Sequence, residues 1–168
     1  MSPVGVIHIL FGVAALGLGA TIVFRPKGTA AHRRLGWGYA ASMIGLLATS
    51  FLIYRLFGGF GPFHALAVIG ALTLAAGLLP ARRRSPRGRW LGLHYHFMAY
   101  SYAGLLAATA AEVAVRLPGA SLGPSSFVAS ALILSAAAAL IHTSARRMIA
   151  RYGAVVDEQR SAPARPTR

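Results

Sequence analysis

The sequence contains no cysteine. That excludes disulfides, iron–sulfur clusters and thioether-linked haem. Carboxylates are almost as scarce, with three Asp and Glu among 168 residues. No paired-carboxylate site, Ser-His-Asp set, HExxH motif or phosphate-binding glycine loop is present, so hydrolytic and ATP-driven activities find no support. Charged residues make up only 12% of the chain, about half the usual share of a soluble domain. A disordered chain is excluded and an ordinary soluble domain is not expected.

What is present is apolar and basic. Hydrophobic residues make up 56% of the chain and the mean hydropathy is +0.60. Lys and Arg number 17, giving a formal charge of +14. Such a charge suggests nucleic acid when it gathers into a reading surface. Here it is spread over short segments between apolar runs, with no reader motif. No nucleic-acid partner is expected; contact with the anionic headgroups of a bilayer accounts for the charge.

A helix crosses a bilayer with about 20 mostly apolar residues. Five such runs occur, at about 4–24, 35–57, 63–79, 90–115 and 127–149. The expected fold is therefore all-α: an integral membrane protein of five transmembrane helices, the first four in a bundle and the fifth alongside. Residues 1–152 form the membrane domain, and residues 153–168, polar and with two prolines, are expected to be a disordered tail.

The basic residues alternate with the spans. Arg25, Lys27, Arg33 and Arg34 follow the first; Arg82, Arg83, Arg84, Arg87 and Arg89 follow the third; Arg146, Arg147, Arg151, Arg160, Arg165 and Arg168 follow or end the fifth. The other two connections hold only Arg55 and Arg116. The positive-inside rule makes the arginine-rich side cytoplasmic, with the N-terminus outside and the C-terminus inside. Trp37 and Trp90 stand beside basic segments, as interfacial anchors do. The first span lacks a basic leader and is expected to stay in the mature chain.

Ionisable groups inside a span are costly and point to function. His8, His32, His64 and His94 each stand near the N-terminal end of one of spans 1 to 4. Alternate spans enter from opposite sides, so His8 pairs in depth with His64 at the outer side and His32 with His94 at the inner side. In a four-helix bundle with short loops these pairs lie on the two diagonals. Two imidazole pairs at two depths is the layout of a membrane cytochrome with two b-type haems. His8, His64, His32 and His94 are the candidate cofactor ligands. Haem b is the first cofactor reading, and Zn or Fe the alternative.

Glu112 follows His94 by 18 residues, five turns along the same helix face, and is the one acidic residue within a span. It reads as an auxiliary outer ligand or as the partner of Arg116, one turn on. His142 reads as an auxiliary inner ligand or a helix-end residue. His96 points off the His94 face and reads as interfacial.

Several stretches are familiar: Lys27-Gly28-Thr29 with His32-Arg33 and Gly36-Trp37; Gly58-Gly59-Phe60-Gly61-Pro62-Phe63-His64; Arg87-Gly88-Arg89-Trp90 with His94; and Ser101-Tyr102 with Gly104-Leu105, ending in Glu112. Together, over residues 4 to 116, they resemble a bacterial family of multi-pass membrane proteins catalogued only as a domain of unknown function. The resemblance implies a bacterial inner-membrane protein and carries no established activity or cofactor. Three classes stay open: a redox-type protein with haem or metal and a membrane redox partner; a non-enzymatic accessory or assembly protein with structural histidines; and a small transporter, for which no clear inverted repeat speaks.

Overall fold

The computed structural model describes residues 2–54, 58–86, 88–116 and 124–161, with side chains up to residue 153. It contains five α-helices in chain order: α1 (Pro3–Phe24), α2 (Ala30–Ser50), α3 (Pro62–Arg83), α4 (Trp90–Ala114) and α5 (Pro124–Ser161). No strand occurs among the described residues.

Local chemistry sets most helix ends. Ser2 caps α1 by accepting from the Gly5 N–H, and Pro3 occupies the first turn, where its missing N–H costs nothing. At the other end Lys27 Nζ donates to the carbonyls of Val23 and Arg25, at 2.7 and 2.8 Å. Thr29 caps α2 by accepting from the His32 N–H. Gly61-Pro62 starts α3, as the sequence suggests.

The largest differences from the expected spans are in α2 and α5. The apolar run expected over 35–57 becomes a helix over Ala30–Ser50. Arg33 and Arg34 are poor in a bilayer core but good helix formers, so the helix outruns its apolar part. At its end the Thr49 and Ser50 hydroxyls bond back to the carbonyls of Gly45, Leu46 and Leu47, and the helix stops. The second difference is α5, which continues to Ser161 where a disordered tail is expected from 153. No proline interrupts it before residue 163, and polarity alone does not end a helix. Residues 162–168 lie outside the described residues.

α1, α3 and the Pro124–Gly153 stretch of α5 are each long and apolar enough to cross a membrane. Leu10, Val13, Ile69, Leu72, Leu132 and Leu140 turn outward on them. The buried polar residues among those described are Ser42 on α2, His64 on α3 and Ser101 on α4. Close packing runs α1–α2, α2–α3, α3–α4 and α4–α1, with α5 against α4 alone. The four form a closed ring in which α1 faces α3, and α2 faces α4, across the diagonals.

The α2–α4 diagonal is bridged by side chains in one register. Tyr39 Oη and Ser101 Oγ share a 3.0 Å hydrogen bond across a separation of 62 residues. The same offset relates His32 to His94, and Met43 to Leu105 in the buried core. Around this line Ala15, Tyr39, Met43, Leu74 and Leu105 form one cluster. Glycines let helices close on it. A Cβ added at Gly19 would strike the Tyr102 ring, which is held by donation from its hydroxyl to the Leu16 carbonyl, 3.2 Å away. At Gly17, two residues earlier, a Cβ meets nothing within 4 Å.

Gly19→Ala is therefore expected to destabilise the bundle by about 1–3 kcal/mol, the usual range for overpacking. Gly17→Ala is expected to leave stability unchanged or slightly raised. Thermal unfolding in detergent measures both; equal effects of the two would contradict this packing.

Candidate functional site

His32 lies in the first turn of α2 and His94 just past the first turn of α4. The parallel register of these helices brings them together, with ring centroids 6.3 Å apart and ring planes at 84°. His94 Nδ1 is 2.9 Å from the Gly77 carbonyl of α3. A carbonyl only accepts, so Nδ1 carries the proton and the neutral ring leaves Nε2 as a bare lone pair. Donation of the second ring N–H to a backbone carbonyl is the arrangement typical of metal-ligating histidine.

The outer pair does not meet. His8 Nδ1 lies 3.0 Å from Thr49 Oγ1, whose own proton goes back to the carbonyl of Gly45 or Leu46. His8 Nδ1 is thus the donor in this contact. The Glu112 carboxylate is close enough to act electrostatically on His8. His64 faces elsewhere. It is 3% exposed and packed among Phe51, Tyr54 and Phe60, with the Tyr54 ring stacked at 4.8 Å and the Phe60 ring at 5.2 Å. Its Nδ1 accepts the Gly61 N–H at 3.0 Å, closing the first turn of α3. The His64 proton therefore sits on Nε2, which is buried without a hydrogen-bond partner. In that tautomer Nε2 cannot donate electrons to a metal. The Nδ1 atoms of His8 and His64, the pair expected from depth, are engaged by different partners, and His64 caps α3.

Glu112 pairs with the Arg116 side chain, and the two are 40% and 68% exposed. A pair so exposed contributes little to stability. His142 does not join the inner pair. It faces His96 across the α4–α5 contact, with ring centroids 5.9 Å apart, and its Nε2 is 2.9 Å from Tyr100 Oη. This His96–His142 meeting escapes sequence reasoning. Its trace is a pair of one-turn repeats, His96 with Tyr100 and His142 with Arg146, whose mutual facing depends on how α5 is rotated.

Among the described residues no group of three or more His, Cys, Asp or Glu is placed to hold a metal ion. A structural or catalytic zinc site takes three or four protein ligands. The inner site offers two.

Residues 5–150 match the family described as "Predicted membrane protein (DUF2306)". The chain belongs to this family. Its match reaches through residue 150, so α5 is part of the family's domain and not an addition outside it, as the motifs over 4–116 alone suggest. The family is defined as membrane protein without an assigned activity. Searches of curated proteins and of solved structures returned no match.

Proposed function

We propose that the inner end of the α2–α4 diagonal is a bis-histidine haem b site, and that the protein is a membrane redox carrier. The observation that carries this reading is the fixed His94 tautomer, with its bare Nε2 on a ring 6.3 Å from His32. His32 and His94 would hold the haem iron through their ring nitrogens, with His94 already fixed through Nδ1 on the Gly77 carbonyl. The donor set fits haem better than a lone ion. A haem would take no more than these two histidines from the protein, and would supply one-electron chemistry there.

Other features at that end support the same reading. Gly36, one turn after His32, is open: a Cβ there meets nothing within 4 Å. Arg33, Arg34, Arg82, Arg83 and Arg89 cluster at the same end and would pair with the anionic propionates of haem. The chain would hold the imidazoles, keep the Nδ1 proton of His94 on Gly77, and exclude water with the apolar layer above, led by Tyr39 and Met43. His8 and His64 do not make a second site of this kind.

The expected result is a Soret band in detergent-purified protein that shifts on reduction. His94→Ala and His32→Ala should each abolish it or convert it to a five-coordinate form. His64→Gln and His8→Ala should leave it intact. A colourless protein after expression with excess haem, or a spectrum indifferent to both inner substitutions, would overturn the proposal in favour of an accessory protein with structural histidines.

The same reading takes all five helices as spans, with the arginine-rich end in the cytoplasm. Fifteen of the 17 basic residues fall on the side of the α1–α2 and α3–α4 connections and the C-terminal segment, which supports it. A reporter active only outside the cytoplasm is expected to work when fused after Phe60 and to fail after Arg84. The opposite pattern would reverse the orientation.

A further inference from the structure

Outside the haem reading, and independent of it, the contact between α4 and α5 holds a second constellation. A cavity of about 680 Å³ opens there, lined by His96, His142, Ala145, Arg146, Ile149 and Ala150. Small residues make the room. Ala145 and Ala150 bring little bulk, and Ile149 lies over Gly92, where an added Cβ would touch it at 3.6 Å. The walls are held in place. Tyr95 Oη donates to the Ile141 carbonyl at 3.3 Å, and Tyr100 Oη pairs with His142 Nε2.

The polar groups around this opening are complementary in kind. Arg146 supplies a permanent cation with donors suited to two oxygens at once. His96 Nδ1 donates to the Gly92 carbonyl at 2.8 Å, which leaves Nε2 as the accepting nitrogen of a ring that lines the opening. His142 lies opposite, one turn before Arg146. A bare anion would be drawn by Arg146 but would find a lone pair at His96. A phosphate carrying a neighbouring hydroxyl satisfies both. Its oxygens take the guanidinium and its hydroxyl donates to His96. The constellation lies at the same end as His94 and the basic connections, where helix-bounded basic pockets take anionic lipid heads.

We infer that the opening between α4 and α5 binds a phosphate group with an adjacent hydroxyl, presented either by a glycerol-type anionic phospholipid or by its soluble headgroup counterpart. Arg146 anchors the phosphate and His96 reads the hydroxyl.

The test uses the full chain, purified in detergent and titrated in separate arms with phosphatidylglycerol, phosphatidylcholine, glycerol 3-phosphate and inorganic phosphate. Native mass spectrometry counts bound molecules, and thermal melting confirms that each variant is folded. Phosphatidylglycerol is expected to bind in preference to phosphatidylcholine. Arg146→Gln should weaken it by about tenfold, the loss of one charge-assisted hydrogen bond. His96→Phe, which keeps the ring and removes the acceptor, should reduce the preference for the hydroxyl-bearing probes over inorganic phosphate. Arg147→Gln, the adjacent exposed arginine that does not line the opening, should change binding by less than about twofold. If glycerol 3-phosphate binds as tightly as the lipid, the site holds and its ligand is the soluble one. Equal weakening by Arg146→Gln and Arg147→Gln would overturn the inference, because general charge would then explain the binding. So would the absence of binding by both hydroxyl-bearing probes.

Discussion

The hydrogen bond between Tyr39 and Ser101 fixes the register of the bundle. Both hydroxyls are buried in an apolar interior, where an unpaired polar group is expensive. Sliding α4 past α2 by one turn would break the pair and strand two hydroxyls. Held in place, the two parallel helices keep one offset along their length. It sets Met43 opposite Leu105 in the core, two turns inward sets His32 opposite His94, and α3 meets this line through Gly77. The inner histidine pair is thus a consequence of a structural hydrogen bond two turns away.

The same rule, that each buried donor or acceptor needs a partner, sorts the histidines by role. Four of the six histidines reach different ends because different oxygens and N–H groups hold their Nδ1 atoms. Gly77 and Gly92 present carbonyls to His94 and His96, which puts the proton on Nδ1 and leaves Nε2 unprotonated, while Thr49 presents a hydroxyl oxygen to His8. Gly61 presents an N–H to His64 and puts its proton on Nε2. Rotation of a single peptide group at the start of α3 is enough to turn a candidate ligand into a helix cap.

Much of the architecture is legible in the sequence because lipid imposes a simple grammar of length and polarity. The apolar runs at 4–24 and 90–115 match α1 and α4 almost residue for residue. α2 is displaced because hydropathy reports where a helix is apolar and not where it is helical: Arg33 and Arg34 belong to the helix but not to its apolar part. The inner pair follows from the direction of the chain, since two helices running the same way place their early residues at the same depth. Depth alone says nothing of rotation about the helix axis. For that reason His8 and His64 read as a pair although one turns toward Thr49 and the other into an aromatic box. The facing of His96 and His142 was hidden for the same reason, because the rotation of α5 is set by its packing on α4.

The most direct measurement is the protonation pattern of the imidazole nitrogens, read from long-range proton–nitrogen correlation spectra of histidine-labelled, haem-free protein and assigned by single substitutions. A proton on Nδ1 and an unprotonated Nε2 are expected for His94, with the reverse tautomer for His64. A proton on His94 Nε2 in that spectrum would remove the inner site's ligand and contradict the account.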